Sequence, residues 1–269
     1  MQHDEVVALA AELFARVPAT GKAPVVRTRP TFVPREARQH VQDDPRVDSA
    51  SFAIAFEAPH WQHPDAVPLM VLQSLLGSWD GASAAGTDSH SHLVRKFAKT
   101  LLVRSFSTYH SAYSDSGLFG CYVSCDPHNA REALRLVGAE LGSLAADGGI
   151  TVDALELAKT QVKVNLMAAL DTSSMVAEDI GRQVLVYGRR VHPMEMVRRV
   201  EAVDVGAVVN CLRRYVRGKP HALSAYGCLE EFPDEEEVAR LLLPATAIDG
   251  AASAAIAAST AAATQAREL

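Results

Sequence analysis

Leu170–Pro193 reads LDTSSMVAEDIGRQVLVYGRRVHP. Its spacing predicts a helix from about Ser173 to Tyr187, with Glu178 and Arg182 at the favourable i, i+4 separation. On its N-terminal side, Pro127 opens a helix whose stripe is Leu134, Val137, Leu141 and Leu144, and Gly148-Gly149 ends it. Thr151 with Asp153 caps the next helix, striped by Leu155, Val162 and Leu166. On the C-terminal side come two short, basic-flanked helices near Pro193–Glu201 and Val205–Tyr215. A strand over His221–Tyr226 follows, then a last helix over Pro233–Leu243.

Strands come before this helical block. Ser49–Ala58, SASFAIAFEA, alternates with Phe52, Ile54 and Phe56 on one face and predicts a strand. Asp65–Leu76 returns to helical period, and Gly77 closes it. Val103–Val123, broken at Asp115-Ser116-Gly117, predicts a hairpin or two neighbouring strands. Near the N-terminus, Val6, Leu9, Ala10, Leu13 and Val17 mark a helix over Asp4–Arg16, stopped by Pro18 and Gly21. The Pro-rich connector Pro24–Pro34 marks a domain boundary. Strands, a block of helices and a closing strand predict an α+β fold: a mostly antiparallel sheet with helices packed on one face.

Composition narrows the function. With 269 residues, 48% of them hydrophobic, the chain can bury roughly 70–75% of its unfolded surface, so its core needs no disulfide staples. The net charge of -6 and scattered basic residues argue against a nucleic-acid partner. Cys121 and Cys125, two of four cysteines, share a strand face in LFGCYVSC and read as buried thiols. No stretch reads as a membrane span. The Ala-rich run Gly250–Ala263 falls short of the ~20 strongly apolar residues a crossing needs, and reads as a weak helix or low-complexity tail.

Catalytic metal chemistry finds no foothold. A zinc peptidase needs two histidines one helical turn apart with a glutamate as general base. None of the ten histidines stands four residues from another. Glu57, His60 and His63 have three-residue intervals, but Pro59 and Pro64 break any helix that would align them. Asp88, His90 and His92 read as a solvated cap before the Leu93 helix rather than a metal site. The expectation is no catalytic residue, no metal and no cofactor in this chain. Trp61, Trp79, Phe119 and Tyr187 are candidate core or interface anchors, and Arg182 joins them as a candidate contact. Arg182, Arg189 and Arg190 read as a solvated face or an internal pair with Glu178; an acidic partner or phospholipid is the alternative.

Three blocks in register carry a family resemblance. Phe56–Asp80, FEAPHWQHPDAVPLMVLQSLLGSWD, ends in a glycine, a small polar residue and Trp-Asp. Ser105–Val123, SFSTYHSAYSDSGLFGCYV, has an aromatic, a polar residue, Asp-Ser and Gly-Leu across paired strands. Ala177–Pro193, AEDIGRQVLVYGRRVHP, is the strongest of the three. Together they resemble the second half of the pitrilysin/insulinase-type peptidases, on the side of the processing-peptidase beta subunit and core protein 1 of complex III. Gly81–Ser89, GASAAGTDS, is not the glycine-rich loop expected of the alpha-type subunit. Active members of that family hold zinc with His-x-x-Glu-His in their first half. Some relatives also supply an Arg and a Tyr from the second half, and here Arg104 stands where that Tyr is expected.

The resemblance implies a layout. Residues 1–34 correspond to the last helix and strand of the family's first domain plus the connector, 35–243 to its C-terminal domain, and 244–269 to an Ala-rich tail. It implies a non-catalytic core subunit of mitochondrial complex III on the matrix side of the inner membrane. Its partners would be a chain supplying the first half, a core-2/alpha-like subunit and other complex III subunits. The alternative is the C-terminal half of an active processing peptidase, with zinc on a separate N-terminal chain. Asp4, Glu5 and Glu12 do not fit a mitochondrial presequence, so import would rely on a missing or unusual signal. Met1, close before the helix, fits a split gene, and a fragment is the rival account. His63-Pro64-Asp65 spells the tripeptide of J-domain co-chaperones, but an apolar strand precedes it and Asp65 fits a helix cap, so it reads as coincidence.

Overall fold

The computed structural model describes residues 2–17, 32–41, 47–82 and 86–242. The chain divides into two units, Met1–Pro30 and Thr31–Leu269. In the first, α1 spans His3–Phe14 and opens with a capping box between Gln2 and Glu5. Most of the connector, the strand expected between that helix and Pro34, and the Ala-rich tail lie outside the described residues.

The second unit runs β1 (Glu36–His40), β2 (Ala50–Ala58), α2 (Ala66–Leu76), β3 (Ser78–Asp80), α3 (His92–Thr100), β4 (Val103–Ala112) and β5 (Gly117–Cys125). It continues with α4 (Ala130–Ala145), α5 (Val152–Ala168), α6 (Ser173–Tyr187), α7 (Pro193–Glu201), α8 (Val205–Cys211), β6 (His221–Gly227) and α9 (Glu235–Leu242). The strands form one six-stranded sheet in the order β1-β6-β2-β5-β4-β3. Every pairing is antiparallel except β1 with β6, which makes the sheet mixed. The expected α+β fold is what the chain adopts.

Alternation along the strands builds the core. Phe52, Ile54 and Phe56 of β2 face inward beside Phe119, Cys121 and Val123 of β5, and all six are buried. Leu134, Val137, Leu141 and Leu144 of α4 cover them, as do Leu69, Leu72 and Leu76 of α2. At roughly 1.5–3 kcal/mol per buried large side chain, this single layer of helix on sheet dominates the favourable energy. Among the described residues the other face carries Ser51, Ser107, Tyr122, Ser124 and Tyr226, and remains partly or fully exposed. Cys121 and Cys125 are buried free thiols, and burial pushes both up to about 12.

Two strands escape the sequence pattern. β1, Glu36–His40, is polar and mostly exposed, and only its parallel ladder to β6 makes it a strand. β3 is short and drops Trp79 into the core opposite Phe106. Helix ends shift as well. Ser91 rather than Asp88 or a histidine caps α3, accepting from the Val94 N–H at 3.2 Å. The last helix begins at Glu235 rather than Pro233. The fifth helix of the block ends in a π turn, Leu212–Val216.

Gly138 lets α9 lie against α4. A Cβ there would stand 2.0 Å from the Leu241 carbonyl oxygen and 2.8 Å from the Leu242 Cα. We expect Gly138→Ala to push α9 off the sheet domain at a cost of about 2 kcal/mol, with the rest of the fold kept. Hydrogen exchange would show amide protection lost in Glu235–Leu242 and retained in β2 and β5.

Candidate interaction site

α6 stands apart from the core of the fold. Thr172 caps it by accepting from the Met175 N–H at 3.3 Å, and Gly188, at φ +70°, ends it. No residue of α6 is buried. Two anchors hold its C-terminal end: the Gln62 side-chain amide donates to the Val186 carbonyl at 2.6 Å, and the Tyr187 hydroxyl donates to the Trp61 carbonyl at 3.4 Å. The turn after it is pinned by the Val191 N–H, which donates to Gln183 Oε1 at 2.6 Å. Arg189 then grips Glu195 with two bonds of 2.7 and 2.9 Å, while Arg199 reaches the same carboxylate at 2.5 Å. Those two guanidiniums hold the Glu195 carboxyl down to about 2.

The residues singled out by sequence separate into two groups. Trp79 and Phe119 are buried in the sheet core. Trp61 and Tyr187 are half-buried and meet each other at the foot of α6. Arg182 is exposed and pairs with Glu178 at 2.5 Å, one turn away on the same helix. Arg189 pairs with Glu195, a partner beyond the reach of helical spacing rules. His60 and His63 lie in a turn, with Asp65 and the Arg214 guanidinium 2.8 Å apart beside them. His90 is committed to the Ser74 carbonyl at 2.6 Å, away from Asp88 and His92.

The helical block exposes several large apolar side chains. Leu185 is 88% exposed, and Met175 and Val184 of α6 join Leu157, Val164 and Met167 of α5 among the exposed large hydrophobics. These six residues lie on two successive helices, where exposed apolar side chains taken singly are ordinary. The sequence pattern drew out only Leu155, Val162 and Leu166 on α5 and passed over these exposed residues.

Beneath α6 lies a cavity of about 780 Å³, walled by α2, α6 and α7 and reaching His110 of β4. His110 was also missed, although it stands in phase with Phe106 and Thr108 on the inward face of β4.

Among the described residues no group of three or more His, Cys, Asp or Glu side chains could hold a metal ion. Arg104 instead forms a structural clamp, donating to Asp48 at 2.7 Å and Asp126 at 2.7 Å, and the contact holds the Asp48 carboxyl below its ordinary value. No helix among the described residues is long and apolar enough to cross a membrane.

Comparison with known proteins gives this architecture its relatives. A family model described as "Peptidase M16 inactive domain" matches residues 1–162. The mitochondrial-processing peptidase subunit beta of Bos taurus is 33% identical over 239 residues, covering 88% of this chain and 48% of that protein. The subunit beta of Mus musculus is 34% identical over 237 residues, covering 88% of this chain and 47% of that protein. A probable subunit beta from Arabidopsis thaliana is 33% identical over 246 residues, covering 89% of this chain and 45% of that one. The chain thus spans about half the length of these relatives. A chain of the solved structure "Complex III2 from Candida albicans, Inz-5 bound" superposes with a TM-score of 0.80 at 23% identity, covering 90% of this chain and 57% of that one, and so shares its fold. With more than half its length matched by the family model, and with that match falling on the domain described as inactive, the chain belongs to the peptidase M16 family.

Proposed function

We propose that this chain is a non-catalytic structural subunit, the C-terminal half of a core-1/processing-peptidase-beta-type protein, working in mitochondrial complex III on the matrix side of the inner membrane. The observation that carries the reading is α6, which buries none of its residues and turns Leu185 outward. A helix that contributes so little to its own core belongs to an interface. In this reading residues 1–34 complete a first domain supplied by another chain, 35–243 form the second domain and 244–269 a tail. Trp61 and Tyr187 brace the contact helix. The partners are the chain carrying the first half, a core-2/alpha-like subunit and other complex III subunits. The Candida albicans likeness, as a part of a complex III structure, supports this assignment.

The names of the relatives in Bos taurus and Mus musculus favour a second reading, half of a working processing peptidase whose zinc sits on a separate N-terminal chain. Isolation of the native assembly separates the two. Co-purification with cytochrome b and an iron–sulfur protein supports the first, while a small zinc-containing complex whose other chain carries His-x-x-Glu-His supports the second.

The contact itself is tested by Leu185→Asp. The side chain is outside the core, so the melting temperature of the isolated chain is expected to stay within the noise of a surface change. Affinity for the co-purifying partner is expected to fall at least tenfold, measured by titration of labelled chain into the partner. Unchanged affinity would remove α6 from the interface.

A further inference from the structure

One face of α3 departs from the charge pairing found elsewhere on the helices. Arg131, Arg135, Arg182, Arg189 and Arg199 each hold a carboxylate. On α3, His92, Arg95, Lys96 and Lys99 fall at i, i+3, i+4 and i+7 and share one side of the helix, while Leu93, Val94 and Phe97 enter the core. Among the described residues no carboxylate stands within ion-pair distance of Arg95, Lys96 or Lys99. Glu140 of α4 acts on His92, Arg95 and Lys96 through space, yet it is only 7% exposed, and burial raises its carboxyl above the ordinary value. The stripe therefore turns positive charge outward on a chain whose net charge is -6. Leu101 stands at its end. It is 70% exposed and sits at φ +50°, the left-handed conformation in which helices commonly end on glycine. A leucine is strained there by its own Cβ, and its side chain faces water, so the position is unfavourable on two counts in the isolated chain.

We propose that this face of α3 lies against an anionic phospholipid bilayer, with Arg95, Lys96 and Lys99 on the headgroup phosphates and Leu101 entering the headgroup layer. The cavities beside α2, α5, α6 and β1 are lined by none of these four residues. The stripe is thus a ridge, which offers an acidic peptide no groove to grip but can rest on a plane of phosphates. Because Leu93, Val94 and Phe97 are committed to the core, α3 cannot sink its apolar side as an interfacial helix does. Contact is by charge, with a single leucine as anchor. Attraction of this kind reaches about 8 Å at physiological ionic strength, so acidic residues on remote parts of the chain are screened while the stripe at contact is not.

The probes are vesicles of phosphatidylcholine alone and vesicles of phosphatidylcholine mixed with phosphatidylglycerol, sedimented with the full chain at low and high salt. Binding to the mixed vesicles at low salt, falling as salt rises, is expected, with none to phosphatidylcholine alone. The triple variant Arg95→Gln/Lys96→Gln/Lys99→Gln is expected to weaken partitioning at least tenfold. Leu101→Gly is expected to weaken it about threefold and at the same time to raise the unfolding midpoint, because glycine relieves the left-handed strain. A loss of binding in that variant is then not a loss of fold. Arg182→Gln/Arg190→Gln, which alters basic residues of the α6 region, is expected to bind as the parent does. Absence of binding, equal binding to both kinds of vesicle, or full binding by the triple variant or by Leu101→Gly would each overturn the proposal. Capture of soluble polyglutamate with the mixed vesicles left untouched would overturn it too, assigning the stripe to an acidic protein segment. The inference stands apart from the scaffold reading, since it concerns the chain alone and needs no partner chain.

Discussion

Gly120→Ala is expected to cost more than about 3 kcal/mol and to prevent stable folding of the sheet. Gly120 sits in β5, paired with Ala55 on one side and Tyr109 on the other. A Cβ at this position would lie 1.9 Å from the Ile54 carbonyl oxygen and 2.8 Å from the Tyr109 hydroxyl. That hydroxyl donates to the same Ile54 carbonyl at 3.0 Å, so the glycine is the gap through which Tyr109 reaches across the sheet. Neither neighbour can give way cheaply, because one is backbone in a central strand. Gly181→Ala provides the opposite case. A Cβ there meets nothing within 4 Å in the middle of α6, and the change is expected to stabilise the isolated chain by about 0.5–1 kcal/mol. Urea unfolding of the two variants beside the parent chain would read both signs. A Gly120→Ala chain as stable as the parent would contradict the sheet register described above.

A second large effect is expected with acid. Burial pushes His110 and His221 down from the ordinary 6.5 to about 4. His110 faces the Phe119 ring at 6.4 Å between centroids and His221 the Phe56 ring at 6.1 Å, so each packs beside aromatic carbon. Below pH 6.5 the unfolded chain takes up protons that the folded chain refuses. Stability that is whole above pH 6.5 is therefore lost progressively as pH falls toward 4, by on the order of 1–3 kcal/mol for each histidine. The exposed pair of His128 with Glu231, in which the carboxylate raises the imidazole, works in the opposite direction and is weakened by solvent screening. Glu195 enters only at lower pH, as its carboxyl titrates near 2 in the fold. The denaturation midpoint of the parent chain is expected to drop steeply between pH 6.5 and 4.5. The double variant His110→Leu/His221→Leu is expected to flatten that slope, and an equal slope in both proteins would refute the assignment.

The sequence disclosed the fold where burial is periodic and local. Ser49–Ala58 alternates because each second side chain enters the core, and Phe52, Ile54 and Phe56 are buried as that pattern requires. The helix over Ser173–Tyr187 was legible to the residue, as was the Thr151 cap of α5. β1 was not, because Glu36–His40 earns its conformation from a parallel partner far along the chain and carries no apolar alternation of its own. The Arg189–Glu195 pair was hidden because it closes across a turn, while Glu195 and Arg199 pair at i, i+4 along α7.

The proposed contact surface was half legible. The family likeness of Ala177–Pro193 drew attention to α6, and Glu178 with Arg182 could be paired from spacing alone. What spacing could not supply is which apolar residues remain outside. An amphipathic pattern gives the direction of a stripe but not whether anything in the same chain covers it, so Leu185 becomes informative only once its neighbours are placed. His110 shows the same limit from within. Strand alternation puts it on the inward face, yet its unmet nitrogen and the cavity before it exist only in three dimensions.

The account rests on this chain contributing surface and shape while leaving peptide hydrolysis to others. The most direct measurement is turnover of an Arg-rich presequence peptide by the purified chain alone in the presence of zinc. The expected result is no cleavage above the buffer rate. Chelator-sensitive turnover by the single chain would contradict it.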